Sequence, residues 1–379
     1  MERRTLGASA LEVGAVGLGC MPMSWAYTTS QQRGERSVRT VHAALDAGST
    51  LLDTADMYGP FTNELLIGRV LRERRRDAFV STKVGLLVGD GHVVANGRPG
   101  YVRRACDASL RRLQTDVIDL YQLHRPDPEV PVEETWGAMA ELVSAGKVRA
   151  LGVCAMGVRE TGARAVGTRT AGVRAGGVRT AGVRTAGAGT AGAARGGGGQ
   201  GVRWGAREPG RADDLYEGTI RQLDRLQQVF PVSAVQAELS VWSARALGRL
   251  LPWCEARGVG FLAAMPLGSG FLTGTMTPGQ GFEPDDARAR HPRFTAEMMA
   301  ANQPLVAGLR RIAERHGPGW TPAQVALAWV LGRGRNVVAV PGAKRVEWAV
   351  ENAGAARLGL SPRDVWEIEG LPEALGSWD

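Results

Sequence analysis

Four side chains in this sequence, Asp53, Tyr58, Lys83 and His124, are of types that together can polarise and protonate a carbonyl group. A phenol ionises near pH 10, too high to release a proton readily at neutral pH. A neighbouring ammonium stabilises the phenolate and lowers that value by about 1–3 units. Lys83 can supply the cation. Asp53 can keep Lys83 charged and oriented, because a lone buried ammonium tends to lose its proton. His124 can hydrogen-bond a carbonyl oxygen and fix its direction. None of the four carries electrons, so a hydride donor must bind beside them. Rival chemistries lack their signatures. No G-x-S-x-G elbow supports a serine hydrolase. The five histidines and four cysteines are scattered, without HExxH or CxxC spacing, so no metal site is expected.

Taken singly, a lysine at a strand end is usually solvated and a histidine usually structural. The four are joined by where each falls on its element. Leu51–Asp53 reads as a short apolar strand ending in the carboxylate, and Tyr58 lies in the loop after it. Ala78–Lys83 ends in the lysine and Val117–His124 in the histidine. Between them lie amphipathic helices over Ser37–Ala47, Glu64–Arg74 and Tyr101–Leu113. The alternation continues with a helix over Val132–Ala145 and a strand over Val148–Val153. It resumes with Tyr216–Val229 (helix), Ala234–Glu238 (strand), Ala244–Ala256 (helix) and Gly260–Ala264 (strand). Helices over Thr295–Arg315 and Thr321–Leu331, a strand over Asn336–Val340 and a helix over Val346–Ala356 complete it. Counted from Ala15, eight strands alternate with helices, which predicts a (β/α)8 TIM barrel preceded by a short N-terminal hairpin. In such a barrel all four residues face one another at the C-terminal mouth. The glycines at 14, 17 and 19 are in the wrong order for a dinucleotide fingerprint, and Met21-Pro22-Met23 stops any helix after them.

One segment breaks the alternation. From Gly157 a five-residue unit recurs, with glycine first and arginine third (Gly-Val-Arg-Thr-Ala in its commonest form), and it dissolves into Gly196–Gly199. It has almost nothing large and apolar to bury, so residues 157–213 are expected to be a disordered low-complexity insert in a single barrel domain spanning 1–379. Between Gly157 and Ala212 lie ten arginines and two acidic residues, which account for the whole net charge of +8. The body of the chain is therefore neutral, and a nucleic-acid partner would have to use the insert as a basic tether. No long apolar run predicts a membrane span, the first residues lead into no signal-peptide core, and the dispersed cysteines fit reduced thiols in a cytoplasmic protein.

Several blocks resemble the signatures of the aldo-keto reductases, in the bacterial pattern and in family order. They are Leu52-Asp53-Thr54-Ala55-Asp56-Met57-Tyr58-Gly59 with Asn63-Glu64, Ser81-Thr82-Lys83, Asp119–His124, Pro266–Gly274, and Pro341–Arg345 with Glu351-Asn352. The resemblance covers nearly all the chain outside the insert. It implies reduction of a small aldehyde or ketone to an alcohol with NADPH. Tyr58 would be the general acid, tuned by Lys83 and Asp53, with His124 orienting the substrate. It further implies that Gln236 holds the nicotinamide amide and that Leu267, Gly268, Ser269 and Gly270 form the pyrophosphate loop. Lys344 and Arg345 would meet the 2′-phosphate, and Glu351 and Asn352 the adenine. The chain departs from the family pattern at Cys154-Ala155, where Ser-Asn is usual, and at Ala264-Met265, where Tyr-Ser is common. Those departures, on the nicotinamide side, predict a weakened or atypical reductase. The alternative is a non-catalytic NADPH-binding barrel acting as a sensor or regulatory subunit.

Overall fold

The computed structural model describes residues 1–7, 11–27, 34–89, 92–155 and 216–376. The expected disordered insert over 157–213 lies outside the described residues. The chain opens with an antiparallel hairpin, β1 (Arg3–Leu6) and β2 (Leu11–Gly14). The first part of the main alternation is β3 (Leu18–Gly19), α1 (Gly34–Asp46), β4 (Leu51–Asp53), α2 (Thr62–Arg74) and β5 (Phe79–Val84). A second hairpin comes next, β6 (Leu86–Gly89) and β7 (His92–Ala95), then α3 (Pro99–Leu113), β8 (Ile118–Leu123), α4 (Val132–Ser144) and β9 (Val148–Cys154). After the insert come α5 (Glu217–Val229), β10 (Ala234–Glu238), α6 (Leu250–Ala256), β11 (Gly260–Ala264), α7 (Ala296–Ala301) and α8 (Gln303–Arg315). The last elements are α9 (Pro322–Leu331), β12 (Val337–Val340), α10 (Val346–Gly354) and α11 (Pro362–Glu369).

Eight strands form one parallel sheet in the order β3-β4-β5-β8-β9-β10-β11-β12. Single parallel bridges, Val16 with Ala339 and Gly19 with Gly342, join its last strand to the segment at its first. Backbone bonds from Gly17 to Ala339 (2.8 Å) and from Gly19 to Pro341 (2.9 Å) fasten that seam. The fold is the expected (β/α)8 barrel, with the β1–β2 hairpin across its floor.

Side chains along a strand point alternately inward and outward, so the interior fills in layers. The floor layer is apolar: Leu51, Phe79, Leu120, Ala150, Ala234, Leu262 and Val338, capped by Leu6 and Val13 of the hairpin. The opposite strand faces pack against the helices in a second, larger apolar cluster. Two residues above the floor, the inward positions become Asp53, Ser81, Gln122 and Gln236. The sequence thus builds an apolar base and sets a polar layer on top of it, at the C-terminal end.

Three differences from the sequence reading have local causes. The helix expected over Thr295–Arg315 breaks at Asn302 (φ −90°, ψ 0°). Continued through that point, the ring of Pro304 would meet the carbonyl of residue 300. Pro252 acts similarly on the helix expected from Ala244, which becomes a 3₁₀ turn at Arg245–Leu247 and starts as an α-helix only at Leu250. The helix α11 and the β6–β7 hairpin are additional elements. Ser361 and Asp364 form a reciprocal capping box that starts α11. Among the described residues no helix is long and apolar enough to cross a membrane, and no group of three or more His, Cys, Asp or Glu side chains could hold a metal ion. The four cysteines are buried and unbridged.

Candidate active site

Asp53 ends β4 and turns its carboxylate into the polar layer, where it accepts four hydrogen bonds. Ser81 Oγ (2.8 Å) and Gln122 Nε2 (3.2 Å) donate to Oδ1, while Lys83 Nζ (2.7 Å) and Gln236 Nε2 (3.0 Å) donate to Oδ2. Lys83 is 1% exposed and also donates to the Thr54 carbonyl at 2.8 Å. Gln122 Nε2 further donates to Ser81 Oγ at 2.8 Å, so two neutral side chains tie β5 and β8 to the carboxylate. Burial alone would pull the Lys83 ammonium down, but the charges of Asp53 and Tyr58 and the hydrogen bond to Asp53 outweigh it. The net displacement is upward, and the lysine is held as a cation.

Tyr58 lies in the turn after β4, fixed by backbone bonds from its own N–H to Ala55 O and from Asn63 N–H to Tyr58 O (both 3.2 Å). The Asn63 side chain anchors that turn through Thr54 Oγ1 (2.6 Å) and the Cys20 carbonyl (2.9 Å). Lys83 Nζ sits 5.2 Å from the centre of the phenol ring, and the Tyr58 and His124 rings meet edge to face with centroids 5.9 Å apart. The four sequence-identified residues therefore converge. One expectation about them is corrected. Lys83 does not bring the phenol below its ordinary value: burial dominates and pushes Tyr58 up to about 12, with Lys83 opposing and Asp53 and Cys154 adding to the rise. Desolvation of the phenolate in this closed turn exceeds the attraction of one ammonium that is itself neutralised by Asp53. His124 is held well below its ordinary value by burial, then by the charges of Lys83 and Arg125, so its ring is neutral at pH 7. Its Nδ1 is buried without a hydrogen-bond partner among the described residues.

Around Tyr58 the walls are apolar. Ala55 and Met57 pack with it, and Met21, Trp25, Leu86, Val88 and Val93 lie against them. The β6–β7 hairpin thus contributes a wall that the strand–helix alternation did not announce. The sequence reading also passed over Ser81 and Gln122. Each stands two residues before an identified site residue on the same strand, so the period of two that places Lys83 and His124 at the mouth places these inward as well.

The residues named for a dinucleotide fall in two groups. Leu267 to Gly270 form the loop after β11, where Gly268, Ser269 and Gly270 all take left-handed backbone (φ 55°, 53° and 96°). A Cβ on Gly268 would come within 2.6 Å of the Trp242 ring, and one on Gly270 within 2.8 Å of Met276 Cε. The loop is thus a tight backbone turn of the kind that directs amides at an anion. Met265, just before it, also has positive φ (47°), a strained conformation for a non-glycine residue. Lys344 and Arg345 begin the segment before α10. No carboxylate lies within ion-pair distance of either among the described residues. Lys344 is 6% exposed and its pKa is lowered to about 8 by burial and then by Arg288. Two cations with no carboxylate at ion-pair distance, one of them buried, fit a phosphate ligand. Asn352 is buried nearby on α10, but the Glu351 carboxylate is engaged, accepting from Thr321 Oγ1 at 2.6 Å. Gln236 sits apart from this group, its amide nitrogen turned to Asp53.

Comparison with known proteins agrees with the barrel fold. The family model for the aldo/keto reductase family matches residues 15–170 and 216–373. A curated relative, the probable aldo-keto reductase 1 of Glycine max, is 30% identical over 97% of this chain and 88% of its own length. Among solved structures, the glycerol dehydrogenase of Gluconobacter oxydans superposes with a TM-score of 0.73 at 25% identity, covering 97% of this chain and 94% of that one. An aldo-keto reductase of Klebsiella pneumoniae, solved in complex with NADPH, shares the fold with a TM-score of 0.62 at 24% identity, covering 97% and 94% of the two chains. The chain belongs to the aldo/keto reductase family.

Proposed function

We propose that this protein reduces an aldehyde or ketone to the alcohol, with NADPH as the hydride donor. The observation that carries the reading is the buried Lys83–Asp53 pair (2.7 Å) beneath the Tyr58 ring and beside a neutral His124. NADPH, when bound, supplies a hydride to the carbonyl carbon. The chain's own residues handle the oxygen. His124 can donate one hydrogen bond to it and set its direction. Tyr58 keeps its proton throughout the neutral range, as a general acid must, and gives it to the developing alkoxide. An alkoxide is a stronger base than a phenolate, so the transfer runs downhill even from a phenol near 12. Lys83 stabilises the phenolate that is left, and Asp53 keeps Lys83 charged. The apolar walls from Trp25, Leu86 and Val88 exclude water from the transfer.

The Leu267–Gly270 turn and the unpaired Lys344 and Arg345 support a cofactor with both a pyrophosphate and a further phosphate, which favours NADPH over NADH. The test is NADPH oxidation with a panel of aldehydes and ketones, wild type against Tyr58→Phe. We expect turnover in the wild type and a loss on the order of 10²–10⁴ in the variant, the usual contribution of a positioned acid. Equal rates in the two proteins would sink the role of Tyr58. NADPH binding without turnover of any carbonyl would favour a sensor in its place.

A further inference from the structure

The barrel mouth carries a cation that the four-residue centre leaves unexplained. Arg125 directly follows His124 and is half-buried. Its Nη1 donates to the carbonyls of His124 and Cys154, both at 3.2 Å, and lies 3.9 Å from Cys154 Sγ. Cys154 shares strand parity with Ala150, a floor residue of the barrel interior, so its thiol faces the barrel axis. A guanidinium resting against that sulfur stands over the inner rim, on the His124 side of the site. Two other cations at this end are matched, Lys83 by Asp53 and Arg293 by Glu238, each at 2.7 Å. No carboxylate reaches Arg125 among the described residues. All of its hydrogen bonds there use Nη1, which leaves the Nε and Nη2 donors of the planar fork for an outside partner. Its charge reaches the reacting region, since it helps to keep His124 neutral.

We propose that Arg125 is a subsite for a carboxylate on the substrate, so that the carbonyl compound reduced here is an aldehyde or keto acid. The inference rests on the reduction proposed above. Backbone carbonyls hold the guanidinium in place before the ligand arrives, and a carboxylate can be accepted in the two-pronged geometry that arginine favours. Bound there, the acid group presents the carbonyl end to His124 and Tyr58.

The probes are 4-formylbenzoate and its methyl ester, equal in shape along the ring but different in charge. We expect the ratio of kcat/KM, acid over ester, to fall about 10- to 100-fold in Arg125→Gln, the range of a lost charge-assisted hydrogen bond. Arg125→Lys should retain part of the preference. A ratio unchanged in Arg125→Gln, with both substrates falling together, would mean that the arginine only staples the loop and would overturn the proposal. So would an unchanged ratio accompanied by weaker NADPH titration, which would assign the cation to the cofactor. Binding without turnover separates this idea from the function on which it rests. By calorimetry, 4-(hydroxymethyl)benzoate should bind wild type and lose affinity about 10- to 100-fold in Arg125→Gln, even if no carbonyl is turned over. Equal binding to both proteins, or none to wild type, would refute the subsite.

Discussion

Replacing Asp53 by asparagine keeps the shape of the side chain and removes its charge. The carboxylate accepts from four donors, two on each oxygen. An amide nitrogen cannot accept, so the two donors facing it lose their acceptor. Lys83, 1% exposed, loses its only counter-ion among the described residues. Breaking one partner out of a buried pair costs about 3–5 kcal/mol, which we expect as the deficit in unfolding free energy at pH 7. The deficit should depend on pH with a definite sign. In the wild type the Lys83 pKa is raised, so its contribution is fully present below the unfolded value of about 10.4 and is lost only as pH climbs through the higher folded value. In Asp53→Asn, the largest influence opposing burial is gone, and burial depresses that pKa. The unfolded chain then binds the extra proton, and stability rises with pH by up to about 1.4 kcal/mol per unit until the unfolded value is reached. Urea unfolding followed by tryptophan fluorescence at pH 6, 7.5 and 9 measures this. Coincident transitions for the two proteins, or a deficit that does not shrink toward pH 9, would refute the claim that Asp53 sets the charge of Lys83.

Two further perturbations test other parts of the site. Asp56 is almost fully buried, and burial followed by the charge of Glu64 raises its pKa to about 8, so the folded protein keeps a proton that the unfolded chain releases near pH 4. Stability therefore falls as pH rises between those values, and Asp56→Asn should be more stable than wild type at pH 8 but close to it at pH 4, as thermal melts at the two pH values would show. Lys344, with its pKa lowered to about 8, loses its charge as pH rises through that value. The preference for NADPH over NADH, measured by fluorescence titration, should therefore decline above about pH 8, and Lys344→Gln should abolish that dependence.

The positions of Asp53, Lys83 and His124 were legible because each ends a short apolar strand, and parallel strands in a closed barrel bring those ends together. Ser81 and Gln122 obey the same alternation, but serine and glutamine carry no charge that marks them as chemical, so only their contacts expose them. The direction of the Tyr58 shift was not legible, since it depends on how completely the turn excludes water, and depth is a property of the packed chain. Gln236 illustrates another limit. It falls on the expected strand, yet whether its amide faces a ligand or a carboxylate is decided by Asp53, which arrives from β4. Among the elements, the breaks at Asn302 and Arg249 come from Pro304 and Pro252, both visible in the sequence, while Ser361 with Asp364 had already written the start of α11.

Barrel closure has a kinetic consequence. The Arg4 guanidinium lies under the floor and donates to the carbonyls of Leu331, Gly334 and Val337, residues 327 to 333 positions away along the chain. The seam bridges at Val16–Ala339 and Gly19–Gly342 span similar separations. Contacts of such long range carry a heavy loop-closure cost and form late in folding. Five of the eight barrel strands precede the insert and three come after it, so the first part of the sheet can assemble while still exposing an unpaired edge at β9. Once β10 covers β9, the remaining step is the docking of β12 against the start of the chain, and until it happens the edge at β3 is open to other chains. The arginine beneath the floor is thus a latch on the last event of folding, far from the mouth where the chemistry is proposed to occur.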